Sequence, residues 1–233
     1  MTFSFVWEPG KLLMLRKFPK FVVQYVRNQM ESEVKEKILI GAEALFMRLG
    51  VRSVTMDDVA RELGMSKKTL YQYFENKDHL VTAVVSWHLD EEREEYSQIA
   101  LRAENAIDEL HQIARCMREN ILKMNPTTLY DLKKFHSTAW GLFVAFKSNF
   151  IKGNVEENIK KGIAQGYYRE NLDAAILAVF RVEQVQLIFD QSIYPSSTFD
   201  FARVQIQLFD HFVYGLLTEK GRTLYKEFQH SYE

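Results

Sequence analysis

The sequence predicts an all-α protein in two parts, a short amino-terminal helical domain followed by a larger helical domain. Three observations carry this. Apolar residues recur three and four apart through most of the chain beyond residue 32. Ser, Thr or Asn stands where several helices would start, and Gly or Pro where they would stop. The 233 residues include only four prolines and ten glycines, which suits long helices joined by short connections.

The first thirty residues, MTFSFVWEPGKLLMLRKFPKFVVQYVRNQM, are apolar and basic. Pro9-Gly10 and Pro19 interrupt them, so they lack the run needed to span a bilayer, and no small-residue cleavage site follows. Residues 1–30 are expected to be an extension, either non-native or disordered. A basic arm that touches phosphates is the functional alternative. Glu33–Leu49 then carries Val34, Ile38, Ala42, Leu45, Phe46 and Leu49 as one stripe, and Gly50 ends it.

Thr55 is a hydroxyl N-cap for the next helix, with Asp57 and Asp58 in its first turn, where acidic groups suit the positive helix end. Val59, Ala60 and Leu63 give it an apolar face, and Gly64 stops it. After Met65, Ser66 caps a second short helix, KKTLYQYF, whose Leu70 and Phe74 point inward. Its remaining side chains are cationic, hydrogen-bonding or aromatic. Two short helices across a tight Gly turn, the second with such an outward face, form a helix-turn-helix that can meet DNA base edges.

Asn76 caps a long helix from Lys77 towards Ala100, with no linker after the helix-turn-helix. A helix over 103–124 ends at Asn125-Pro126, and a short helix over Thr127–Lys134 follows. Phe135–Phe150 is rich in aromatics, with a break or kink expected at Gly153-Asn154 before a helix over Val155–Gln165. Residues 173–193 and 198–218 read as two helices that are apolar nearly all round, and a second apolar face needs a cover. A four-helix interface between two copies of the chain supplies one. The expected division is 1–30, 31–80 and 81–233.

The run GMSKKTLYQYFENKDHL resembles the recognition-helix signature of the TetR family of bacterial repressors, through Ser66, Leu70, Tyr71, Phe74, Lys77 and Leu80. Thr55, Val59, Ala60, Leu63 and Gly64 match the family's first helix-turn-helix helix, and Ala42, Phe46 and Gly50 its opening helix. The resemblance is specific over 32–85. It implies an amino-terminal DNA-binding domain, a helical ligand-binding and dimerisation domain, and a repressor released from a palindromic operator by a small molecule. DNA contacts are expected from Thr55, Ser66, Lys67, Lys68, Thr69, Tyr71, Gln72, Tyr73 and Lys77. Asp57 stands where some relatives carry a cation, so no phosphate contact is expected there. A ligand cavity is expected among Tyr130, Trp140, Phe143 and Phe146, with Phe180 and Glu183 opposite.

A net charge of −1 argues against non-specific coating of nucleic acid, but Lys67, Lys68 and Lys77 make the recognition segment locally basic. The single cysteine, Cys116, excludes an intrachain disulfide and fits a cytoplasmic protein. The six histidines include no metal-ligand spacing, and no nucleotide-binding or hydrolase motif is present, so neither metal nor cofactor nor enzymatic activity is expected. The alternatives are a constitutive DNA-binding protein acting through a protein partner and, remotely, an all-helical enzyme.

Overall fold

Ile38, Ala42, Leu45 and Phe46, spaced four, three and one apart, are the buried side of α1, Lys20–Leu49. The structure, a computed structural model, describes residues 20–230 except 126, 189, 191 and 196. The helix begins at Lys20, well ahead of the stripe at Glu33, so it crosses the expected boundary at residue 30. Residues 1–19 lie outside the described residues.

The helix-turn-helix follows its capping signals closely. In α2, Met56–Glu62, the Thr55 side chain accepts from the Asp58 amide while the Asp58 carboxylate accepts from the Thr55 amide, a reciprocal capping box. Gly64 then takes a φ of +62°, a left-handed turn that a side chain would strain. Ser66 caps α3, Lys67–Tyr73, by accepting from the Thr69 amide, and Asn76 caps α4, Lys77–Arg102, by accepting from the His79 amide. Leu70, Phe74 and Leu80 are fully buried, each worth about 1.5–3 kcal/mol of transfer free energy.

The helical body comprises α5 (Ala106–Lys123), α6 (Thr128–Phe135), α7 (Ser137–Phe146), α8 (Lys152–Ala164), α9 (Ala174–Ile188), α10 (Phe201–Leu216) and α11 (Glu219–His230). The expected break at Gly153-Asn154 is absent. Instead α7 passes through a π-helical segment, Lys147–Ile151, straight into α8. The irregularity coincides with buried Lys147, whose ammonium reaches Glu183 at 3.1 Å and also donates to Gln186.

The head is not a closed unit. Its core cluster of Ile38, Phe46, Val59, Leu70 and Phe74 continues through Val81 and Val84 of α4 to Leu129, Leu132 and Ala139 of α6 and α7. Polar joins reinforce this contact. The Arg52 amide donates to Asp131 at 3.0 Å, the Asn125 amide to the Met47 carbonyl at 2.7 Å, and His136 pairs with Asp78 at 2.7 Å. Gly50, at φ +81°, packs where an added Cβ would lie 2.9 Å from Thr127 Oγ1. α4 also runs unbroken from the head into the body.

The two helices expected to be apolar all round differ. α9 keeps Ile176, Val179, Phe180 and Leu187 exposed. α10 turns Arg203, Gln207, His211 and Gly215 outward and buries Val204, Phe209, Phe212, Val213 and Leu216. Part of its cover comes from α11, which sequence reasoning did not assign. Tyr225 of α11 is buried, stacks edge-on against Tyr214 and donates to Asp210 at 3.2 Å.

Candidate functional site

α3 sits on the outer face of the head because Leu70 anchors it inward and Ser66 and Gly64 fix where it starts. The outward side chains are Lys67, Lys68, Tyr71 and Gln72, and Tyr71 is 49% exposed. This cationic, hydrogen-bonding and aromatic face is the type that reads base edges in a major groove.

The other candidates are partly committed within the protein. Ser66 accepts from the Thr69 amide and shares a 2.8 Å hydrogen bond with the Thr69 hydroxyl. The Thr55 hydroxyl donates to Asp58 at 2.6 Å, and this bond with the Thr55 amide bond and nearby Arg61 holds the Asp58 carboxyl below its ordinary range. Thus an anion already occupies the start of α2. Tyr73 is half-buried against the head core, so it presents less to solvent than expected. The Lys77 ammonium donates to the Arg52 carbonyl at 3.1 Å. Burial lowers its pKa, with Asp131 and Asp58 acting the other way. Lys67 is paired with Asp57, which restrains that ammonium at the start of α3.

Beneath the head lie two adjoining cavities of about 170 and 130 Å³. Glu92, Met117, Phe143 and Val185 line both, so the two lobes of this chamber share a wall. The larger is walled by Phe46, Val51, Val81 and Val84 of the head and upper α4. The smaller reaches Tyr96, Arg181, Phe209 and Phe212. Two of the polar groups on the chamber's walls are held by carboxylates. Tyr96 donates to Glu92 at 2.6 Å, and burial, aided by Glu92, keeps this phenol well above its ordinary pKa. His88 of the larger lobe pairs with Glu43. Burial opposes its charge, but the Glu43 hydrogen bond and charge outweigh that and raise its pKa.

Of the six expected ligand residues, the chamber includes Phe143 and Phe146. Tyr130 and Trp140 instead line a separate surface groove with Lys133, Lys134, Gln186 and Asp190. Phe180 is 51% exposed on α9. The Glu183 side chain is exposed too, and it serves as counter-ion to Lys147 rather than as a buried handle. Helical period explains the error, since Phe180 and Glu183 share one face of α9 and Arg181 and Val182 another. Sequence reasoning missed Arg181, whose one signal was a cation in an otherwise apolar run, AAILAVFRVEQVQLI.

The family profile described as "Bacterial regulatory proteins, tetR family" matches residues 38–84, the segment that builds the head. Over this segment the chain resembles the helix-turn-helix domain of tetR-family regulators. Curated relatives include YvaF, an uncharacterized HTH-type transcriptional regulator of Bacillus subtilis. It is 38% identical over 98 residues, 40% of this chain and 50% of that protein. The HTH-type transcriptional regulator TtgR of Pseudomonas putida is 33% identical over 110 residues, 46% of this chain and 50% of that protein. The matches to these relatives span about half of their length. Beyond them the likeness is one of fold alone. A transcriptional regulator from Saccharomonospora viridis, solved in complex with choline, superposes at a TM-score of 0.62. Its sequence is 18% identical, and the match covers 81% of this chain and 100% of that one. Among the described residues, no helix is long and apolar enough to cross a membrane, and no cluster of His, Cys, Asp and Glu could hold a metal.

Proposed function

We propose that the chain is a cytoplasmic, homodimeric transcriptional regulator, a repressor that leaves a palindromic operator when a small molecule enters the chamber. The observation that carries the reading is α3, which presents Lys67, Lys68, Tyr71 and Gln72 from a TetR-family head. Gln72 suits the paired donor and acceptor of adenine, and the lysines suit guanine acceptors, each contact discriminating by about 1–3 kcal/mol. Tyr71 suits a phosphate or a thymine methyl. Ser66, Thr69, Tyr73, Thr55 and Lys77 position this face and contribute backbone contacts at its edges.

One helix-turn-helix binds DNA weakly, whereas two read half-sites one helical turn or a multiple apart. The exposed Ile176, Val179, Phe180 and Leu187 of α9 form an apolar stripe suited to a second copy of the chain. α10 contributes its more polar outer face beside it, within the broader span 173–193 and 198–218. The chamber supports release because its larger lobe is walled by the head's own core. A ligand that fits one arrangement of α1, α4 and α6 better than the other shifts the spacing of the two α3 helices. A hundredfold loss of operator affinity needs a difference of about 2.8 kcal/mol between states.

The test is selection of bound duplexes from a random pool, followed by Tyr71→Ala on the selected site. A palindromic motif and at least a tenfold loss of affinity in a still-dimeric variant are expected. Absence of any enriched motif would overturn the reading.

A further inference from the structure

The smaller lobe holds a buried cation that no carboxylate among the described residues is placed to neutralise. Arg181 is only 4% exposed. Its Nη1 donates to the neutral Gln184 side chain at 3.2 Å, and its guanidinium lies over the rings of Phe209 and Phe212 at 5.1 and 5.7 Å. Its Nη2 has no hydrogen-bond partner among the described residues. Burial lowers its pKa to about 10, so the group stays charged at neutral pH. A buried charge without a partner is strongly unfavourable, and a guanidinium presents a planar fork that matches a carboxylate. Lys147, the other buried cation of the lobe, is satisfied by Glu183 and Gln186.

Two further observations point to an occupant. Among the described residues, the buried side-chain polar atoms that lack partners are Arg181 Nη2 and Thr128 Oγ1, and these residues line the smaller and the larger lobe respectively. The wall beside Arg181 also contains Phe146, Lys147 and Ile151, at the π-helical segment, and such segments recur at functional sites. The remaining wall is mainly apolar. Glu92, on the shared wall, accepts from Tyr96 and would repel an anion, which favours a head seated towards Arg181 and an apolar body extending past Phe143.

We propose that the chamber receives an amphipathic monocarboxylate, its head on Arg181 and an apolar body of about eight to twelve carbons filling both lobes, since a cavity of about 150 Å³ accepts one benzene ring. This deepens the regulator reading and rests on it for any effect on DNA.

Isothermal titration of the full chain with sodium decanoate, decan-1-ol and decyltrimethylammonium tests the inference without DNA. Decanoate should bind at least about tenfold more tightly than the other two, because a charge-assisted bidentate pair replaces an orphaned donor. Shortening it to octanoate and hexanoate should cost up to about fourfold per methylene. Arg181→Met should erase the preference for decanoate over decanol, and its melting temperature without ligand should be unchanged or higher. A preference retained in that variant, or decanol matching decanoate on the wild-type chain, would overturn the proposal. The wild-type comparison holds whether or not the variant folds. Operator binding separates the two readings. Decanoate that binds with this preference but leaves DNA affinity unchanged upholds the ligand class and removes ligand-driven release. Release by decanol or the cation, with no decanoate binding, upholds the regulator and removes the carboxylate.

Discussion

Asp57→Asn should strengthen operator binding. In the structure the Asp57 carboxylate holds the Lys67 ammonium at the start of α3, with side chains 52% and 63% exposed. Such a solvent-exposed pair is worth about 0.2–1 kcal/mol. Lys67 must surrender this pair to engage a base or phosphate, and a dimer does so twice. Removing the carboxylate therefore recovers about 0.4–2 kcal/mol, a gain in affinity of about two- to thirtyfold. Lys67 meets DNA in both proteins, so the slope of log K against log salt should stay within about one unit of the wild-type value. The cost falls on folding. Asp57 lies in the first turn of α2, where an acidic group contributes about 0.3–1 kcal/mol, so a melting temperature lower by about 1–4 °C is expected. Fluorescence anisotropy on the selected duplex at several salt concentrations measures both terms. An unchanged or weaker affinity in a folded dimer would refute the placement of Lys67 at the DNA.

Three other outcomes follow from the same geometry. Phe180→Glu places a charge in the exposed stripe of α9; sedimentation should show a monomer, with operator affinity reduced by at least about a hundredfold because a lone helix-turn-helix binds weakly. His88 has a raised pKa in the fold, so its pairing with Glu43 contributes fully below about pH 6.5 and is lost as pH rises through the folded value. The stability gap between wild type and His88→Asn should accordingly shrink from pH 6 to pH 9 in denaturant titrations, and a widening gap would contradict the assignment. Burial, with the hydrogen bond to Glu95 and nearby acidic groups, pushes the Cys116 thiol up to about 12. Alkylation at pH 8 should be at least about a hundredfold slower than for an open cysteine until the protein unfolds.

The amino-terminal half of the architecture was legible because its signals are local. Thr55, Ser66 and Asn76 cap helices with their own side chains, and Gly64 needs a conformation that other residues resist. Leu70 and Phe74 orient α3 by period alone. What failed depended on contacts distant in sequence. α11 is short and polar, so its anchoring by Tyr225 on Tyr214 and Asp210 left no periodic trace strong enough to assign it. Without that cover, the second apolar face of α10 was assigned to a second subunit. The π-helical segment obeys no sequence rule and coincides with the ion pair between Lys147 and Glu183, which the same distance hides. Tyr73 and Lys77 looked like DNA contacts by position, but the head core and the Arg52 carbonyl claim part of each. Of the residues expected to form a ligand cavity, Phe143 and Phe146 line the chamber, whereas Arg181 was overlooked beside the more conspicuous Glu183.

Hydroxyl-radical footprinting of the selected duplex tests most directly whether two copies of α3 enter the DNA together. Two protected stretches on one face, centred about 34–36 Å apart or at a multiple of that spacing, are predicted, and both should vanish with Tyr71→Ala. A single protected stretch, or protection indifferent to Tyr71, would contradict the account.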